Sequence, residues 1–173
     1  KLSEQKDKLN SVAQYRLAED VSMALYDESC KRRLENIQLV EDAYNYKFKC
    51  VKLSKRVSPE YHAKAQGYLG DLAGLLSDKT KDVSISRAWR EKEYYHKHEW
   101  ARGLEELGRA DGAMKAYCFL EDLAFSLFNE NADDIWLKRR YNDRVHAALI
   151  AKNMNNNYQA SRFYFESARF ANE

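Results

Sequence analysis

Four alanines recur along the chain at nearly constant spacing. They are Ala18, Ala65, Ala113 and Ala160, separated by 47, 48 and 47 residues. Each opens a stretch in which large apolar residues return every three or four positions, which is the pattern of a helix with one buried face. A spacing near 47 fits two helices and their turns, so the repeat predicts a series of helical hairpins. Such hairpins bury their apolar faces only by packing on neighbours.

The composition agrees with a helical fold. One proline and six glycines in 173 residues leave few turn residues for a β-rich chain. Hydrophobic residues make up 45% and charged residues 32%, a balance typical of folded globular domains. We therefore predict an all-α chain of about seven helices in stacked antiparallel hairpins, either a repeat array or an irregular bundle, with no sheet. Residues 1–173 are expected to form a single domain, with residues 1–57 and 58–173 as possible sub-units.

Start and stop signals indicate where the helices lie. We expect them over about residues 3–27, 31–55, 59–76, 84–107, 112–128, 134–152 and 158–171. Ser58 before Pro59 is the clearest helix start, and Gly108 suits a helix C-terminus. No glycine or proline separates the first two helices. Their apolar stripe turns by roughly a third of a circle across Asp27 to Cys30, where we place the break.

Charge and cysteine usage restrict the possible settings of the protein. The net charge of +2 predicts no strong attraction of the whole molecule to nucleic acid or membranes. Cys30, Cys50 and Cys118 form no metal-type pair and cannot all pair within the chain, which favours a reducing compartment and a cytoplasmic location. No apolar run approaches the roughly 20 residues that a membrane-spanning helix needs. We expect no membrane insertion.

The stretch from Ala101 to Leu120 resembles one tetratricopeptide hairpin. In that family a small residue on the first helix, a turn glycine, an alanine and then an aromatic let two helices pack closely. Here Ala101, Gly108, Ala113 and Tyr117 keep that order, although Leu120 stands where the family usually has alanine. The period near 47 also departs from the family's period of about 34. The resemblance implies a hairpin array with a concave partner-binding face, and it carries over no functional residue.

These features together predict a protein-interaction or adaptor module without catalysis of its own. Its partner would be another protein, docking a peptide or a helix in a groove between hairpins. Aromatic side chains would supply apolar contact, and basic side chains at the rim would select acidic groups. If residues 101–171 form the groove, the candidates for its polar lining are Arg102, Arg109, Arg139, Arg140 and Tyr141. Association with further copies of the chain stays open.

A metalloprotein is the first alternative. Glu93 precedes His96, and Asp143 precedes His146, by three residues on predicted helices, so each pair projects from one helix face. Bundles that hold two iron or manganese ions use Glu-x-x-His motifs in this way. Glu93 and His96 are also expected on the buried side of their helix, with Trp100. The same pairs could equally make hydrogen bonds between helices.

Nucleic-acid binding is the second alternative, and it rests on a basic stretch with interleaved aromatics. The cations of this stretch are Lys47, Lys49, Lys52, Lys55 and Arg56. No acidic residue stands between Asp42 and Glu60, and aromatic side chains can stack on unpaired bases. On a helix, however, these cations point in several directions. Tyr44 and Phe48 also belong to the predicted apolar stripe, so a solvated helix face is the competing interpretation.

Overall fold

The computed structural model describes the backbone of residues 2–31, 36–54 and 58–170, and the side chains of 10–14, 16–29, 36–53 and 58–169. Within these ranges the chain forms seven helices and no strand, which confirms the predicted all-α class. The helices are α1 (Leu2–Lys31), α2 (Ile37–Ser54), α3 (Pro59–Lys79), α4 (Val83–Glu106), α5 (Ala110–Asn131), α6 (Asp134–Asn153) and α7 (Asn157–Phe170). None of them is long and apolar enough to cross a membrane.

The chain divides into two compact units. Unit 1 comprises Lys1–Glu93 and unit 2 comprises Tyr94–Glu173, so α4 contributes residues to both. The expected sub-unit boundary at residue 57 falls inside unit 1. Its position differs because α3 packs against α2, and the two helices bury their leucines and tyrosines in one core.

Unit 1 is built on the packing of α1 against α2 and of α2 against α3. Its core lies among Tyr26, Val40, Ala43, Tyr44, Val51, Ala65, Leu69, Leu72, Ala73 and Leu76. The predicted start of α3 is confirmed, because the Ser58 side chain accepts a hydrogen bond from the Tyr61 amide and Pro59 occupies the first turn. Gly74 allows a close approach, since a Cβ there would lie 2.9 Å from the Glu93 carboxylate.

Unit 2 is built on the packing of α5 against α6 and of α6 against α7. Its core holds Tyr94, Ala101 and Leu104 from α4, and the small residues of the later helices let their backbones approach. Those small residues are Ala113, Ala116, Ala124, Ala147, Ala148, Ala151 and Ala160. Gly108 ends α4 with a φ of 70°, and the Arg109 amide donates to the Leu104 carbonyl. Only glycine adopts this conformation without strain.

Two sequence expectations about the helices need correction. The break between the first two helices does not lie at Asp27, because α1 continues to Lys31 and α2 begins at Ile37. A rotation of the apolar stripe does not by itself end a helix, and no glycine or proline interrupts this one. On α4 the buried residues are Tyr94, Lys97, Ala101 and Leu104. The predicted buried side with Glu93, His96 and Trp100 is therefore wrong, since all three are only half-buried.

Candidate binding cleft

A solvent-facing cleft of about 460 Å³ lies between α4 and α6 within unit 2. Its lining consists of Tyr94, Tyr95, His98, Arg139, Asn142, Asp143 and His146. The residues from α6 lie three or four positions from Arg139 or His146, so they share one side of that helix. The volume falls within the range of cavities that hold small ligands or single side chains of a partner.

Arg139 is held against three aromatic rings at one wall of the cleft. Its guanidinium carbon lies 4.4 Å from the ring centre of Trp136, 4.6 Å from that of Tyr95 and 5.2 Å from that of Tyr94. Its Nη2 donates a 2.7 Å hydrogen bond to the Tyr95 hydroxyl. Nη1 is buried and has no acceptor among the residues that the structure describes. Stacking and one hydrogen bond therefore fix the guanidinium plane while leaving donor capacity unused.

Asp143 forms the floor of the cleft and is 1% exposed. Its Oδ2 accepts a 2.7 Å hydrogen bond from the Tyr94 hydroxyl. Burial raises the pKa of this carboxyl to about 7, although the Tyr94 hydrogen bond and the charge of Arg139 act in the opposite direction. Burial also raises the pKa of Tyr94, with the Asp143 charge adding to the effect. Tyr94 therefore stays a hydrogen-bond donor throughout the range in which Asp143 titrates.

Two imidazoles, those of His98 and His146, also line the cleft. His98 Nε2 lies 4.0 Å from Asp143 Oδ1. Burial lowers the pKa of His98 below 6.5, even though Glu99 acts to raise it. The His146 ring stacks on Tyr117 with centroids 4.9 Å apart, and the Tyr117 hydroxyl donates to Glu105 Oε2 at 3.3 Å. The ring of His146 is thus oriented by packing.

These shifts determine the charge of the cleft. At neutral pH the His98 ring is mostly neutral, and Asp143 is only partly ionised because its pKa is near 7. The Arg139 guanidinium keeps its charge at every physiological pH. The buried carboxylate therefore neutralises the arginine incompletely, and the cleft becomes more positive as the pH falls. Such a site favours an anionic group over a cationic one.

The residues expected at a partner groove are distributed over several surfaces. Only Arg139 lines the cleft. Arg102 is exposed and pairs with Glu99 and Glu106 on its own helix, while Arg109 is exposed at the start of α5. Arg140 forms a largely buried ion pair with Glu121, which also binds Arg144. Tyr141 is 39% exposed on α6. A role for these four in partner binding stays a prediction.

The four residues proposed as metal ligands do not form one cluster. Glu93 belongs to unit 1, where its carboxylate lies against Gly74. Asp143 and His146 line the cleft with His98, whereas His96 is not among the lining residues. No group of three or more His, Cys, Asp or Glu side chains suited to a metal ion occurs in the described part of the chain. The iron or manganese site stays a sequence prediction.

The cations of the basic stretch differ in burial. Lys47 is 9% exposed and donates a 2.9 Å hydrogen bond to Glu19 Oε2, so its charge is used inside unit 1. Lys49 and Lys52 are exposed, and their ammonium groups lie 5.7 Å from the Tyr46 ring and 4.5 Å from the Phe48 ring. Lys55 and Arg56 lie outside the described residues. Nucleic-acid binding stays a prediction that now rests on fewer cations.

Sequence reasoning missed Tyr94, Tyr95, His98 and Asn142 as members of a site. Their signal was the stripe Tyr94, Lys97, Ala101 and Leu104, which places His98 on the inner side of α4 one turn after Tyr94. A correctly oriented stripe would have selected His98.

Comparison with known proteins leaves the family open. No protein-family model matches this chain, and no curated protein matches it. A solved structure described as "DHF119 filament" has a TM-score of 0.46 and 14% sequence identity, covering 96% of this chain and 83% of that chain. A likeness at this level assigns neither a family nor a function.

Proposed function

We propose that this protein is a non-catalytic interaction module and that the cleft of unit 2 receives an acidic side chain of a partner protein or peptide. The observation that carries the proposal is the position of Arg139, which is stacked on three rings beside a carboxyl of raised pKa at the wall of an open cleft. An anchored, incompletely neutralised arginine in a concave site is a typical anchor for a carboxylate.

The surrounding side chains suit a carboxylate better than an apolar group. Tyr95 already accepts a hydrogen bond from Arg139, so its own hydroxyl proton can be donated to a ligand. Asn142 offers an amide at the mouth, and a protonated Asp143 would donate as well. The guanidinium is planar and presents its donors in a fork that matches two carboxylate oxygens.

The same geometry makes binding dependent on pH. As the pH rises through about 7, Asp143 ionises and offsets the charge of Arg139. As the pH falls, Asp143 becomes neutral and His98 gains a proton, so the attraction for a carboxylate increases. Affinity for an acidic partner is therefore expected to rise from mildly alkaline to mildly acidic pH.

The fold and the thiols support a proposal about the setting of this module. Hairpin arrays of the kind that the tetratricopeptide resemblance implies are scaffolds for binding, which supports an adaptor role. Cys50 is a buried free thiol and Cys118 a half-buried one. Free thiols are typical of proteins in reducing compartments, which supports the cytoplasmic location that we propose.

The test uses pairs of capped peptides that differ only by glutamate in place of glutamine. Wild-type protein should bind glutamate members of an array more tightly than their glutamine partners. Arg139→Ala should remove that preference. Arg102→Ala is the matched control, because Arg102 is an exposed arginine paired on its own helix outside the cleft. Equal binding of both peptide types, or equal effects of the two variants, would contradict the proposal.

A further inference from the structure

The outward face of α1 carries an apolar stripe. Leu17 is 65% exposed, Val21 51% and Leu25 52%, and the three follow each other at four-residue steps. The opposite face of α1 is buried and includes Glu19 and Tyr26. Large aliphatic residues at this spacing, exposed to water along one face of a helix, mark a surface suited to another helix.

Acidic residues border this stripe. Asp20 and Asp27 lie seven residues apart on the same side of α1, and both are exposed. Seven residues of helix span about 10.5 Å, close to two full turns, so the two carboxylates form a row parallel to the apolar stripe. We call Leu17, Val21, Leu25, Asp20 and Asp27 the α1 face.

The outward face of α7 has the complementary chemistry. Tyr158 is 83% exposed and Phe165 is 67% exposed. Arg162 and Arg169 are exposed on the same side of the helix, seven residues apart. Arg162 also pairs with Glu166 on α7. We call Tyr158, Arg162, Phe165 and Arg169 the α7 face, and its mixture of aromatic and arginine side chains is the composition of interface hot spots.

We propose that the α1 face of one copy of this protein docks on the α7 face of a second copy. The two arginines of the α7 face have the same separation of about 10.5 Å along their helix as the two aspartates of the α1 face. Aligned side by side, the helices bring both arginines opposite both aspartates, while Tyr158 and Phe165 cover the aliphatic stripe. This surface is separate from the Arg139 cleft, so it does not rest on the proposed function.

The docking joins two different faces, which determines the kind of assembly. A contact between unlike faces is heterologous and links copies in series, so an open series keeps one unused α1 face at one end and one unused α7 face at the other. A two-fold dimer would instead pair like with like. The heterologous contact is lost when either face is altered, whereas a two-fold dimer is lost only when the face that pairs with itself is altered.

The experiment alters each face separately and then mixes the variants. The α1-face variant carries Leu17→Lys and Val21→Lys, and the α7-face variant carries Tyr158→Glu and Phe165→Glu. All four residues are at least half exposed, so the fold should survive, and circular dichroism verifies it. The matched control changes Val83→Glu on α4, because Val83 is 79% exposed and belongs to neither face.

Sedimentation velocity over a concentration series gives the result. Wild type and the Val83→Glu control should associate, and each face variant alone should sediment as a monomer. An equimolar mixture of the two face variants should form a 1:1 dimer, because it contains one intact face of each kind. A monomeric wild type at every concentration overturns the proposal. So does an α7-face variant that still dimerises alone, which would indicate α1 pairing with α1.

A charge exchange then tests the alignment. Arg162→Asp with Arg169→Asp should weaken association at least tenfold, and Asp20→Arg with Asp27→Arg should do the same. In a mixture of the two charge variants, the native α1 face of one variant can meet the native α7 face of the other. The two altered faces can also meet, with their charges exchanged. Both pairs are complementary, so the mixture should regain most of the wild-type association. No recovery would overturn the ionic match between the faces.

Discussion

Each unit of this molecule places a cation among tyrosine rings, but the two sites differ in their counter-charge and their access. In unit 1 the Lys47 ammonium lies 4.8 Å from the Tyr68 ring centre and 2.9 Å from the Glu19 carboxylate. Lys47 and Glu19 are each less than a tenth exposed. In unit 2 the Arg139 guanidinium is stacked in a similar way, yet it lines an open cleft.

The proposed function draws on this difference between a cation that is balanced inside the protein and one that lines an open cleft. The Lys47 charge is balanced inside the protein by direct contact with Glu19. The nearest acid in the Arg139 cleft is a carboxyl whose pKa is raised by burial to about 7 and whose Oδ2 is occupied by Tyr94. A cation among aromatic rings is thus not by itself a site. Incomplete neutralisation together with access to solvent makes it one.

The largest expected effect comes from breaking the closed pair of unit 1. Lys47→Ala leaves Glu19 buried without its partner, and such a loss costs about 3–5 kcal/mol of unfolding free energy. The double change Lys47→Met with Glu19→Gln should recover most of that loss, because no buried charge remains. Urea denaturation measures both values. A loss below about 1 kcal/mol for Lys47→Ala would show that the pair is exposed in solution.

The next effect concerns Asp143 and is visible in the pH dependence of stability. Folding raises the pKa of Asp143 from 3.8 to about 7. The contribution of this carboxyl to the free energy of unfolding is therefore fully present below about pH 4 and is lost as the pH rises through 7. Asp143→Asn keeps an acceptor for Tyr94 and removes the ionisation. The variant should equal wild type near pH 4 and exceed it above pH 7 by up to about 4 kcal/mol.

Thermal unfolding across that pH range checks this prediction. Tyr94→Phe is the companion variant, because it removes the hydrogen bond to Asp143 and keeps the ring. It should raise the pKa of Asp143 further and extend the pH dependence to higher pH. A constant difference between Asp143→Asn and wild type at every pH would mean that the carboxyl does not titrate in this range.

A smaller effect is expected for ligand binding at Arg139. Loss of a charge-assisted hydrogen bond costs about 1.5–3 kcal/mol, so Arg139→Ala should weaken binding of a glutamate peptide by about tenfold to a hundredfold. Arg139→Lys should recover only part of it, because an ammonium lacks the planar fork. Fluorescence anisotropy measures the affinities. Full recovery by lysine would indicate a purely coulombic attraction.

The smallest expected effects lie at helix starts and should be alike in the two units. Ser58 caps α3 through the Tyr61 amide, and Asp133 caps α6 through the Ile135 amide. Replacing either by alanine should cost about 1 kcal/mol in urea denaturation. Gly substitution at the same positions should cost only a few tenths of that value. A much larger loss at one position would show that its side chain does more than cap a helix.

Local patterns were enough to predict the helices of this protein. Ser58 before Pro59 marks a start and Gly108 marks an end, because capping depends on residues adjacent in sequence. The cleft depends on contacts between distant residues. Tyr94 meets Asp143 across 49 positions, and Lys47 meets Glu19 across 28. Periodicity indicates that a helix has an inner face but does not identify the neighbour, so the burial of these charges could not be predicted.

The most direct test of the account is a nuclear magnetic resonance titration with the capped glutamate peptide. Spectra of the arginine Nε–H and histidine ring signals are recorded with wild type, beside the lysine ammonium signals. The account predicts saturable shifts at Arg139, His98 and His146, none at Lys47, and none with the glutamine peptide. Equal shifts with both peptides, or shifts confined to exposed arginines such as Arg102, would contradict a carboxylate site in the cleft.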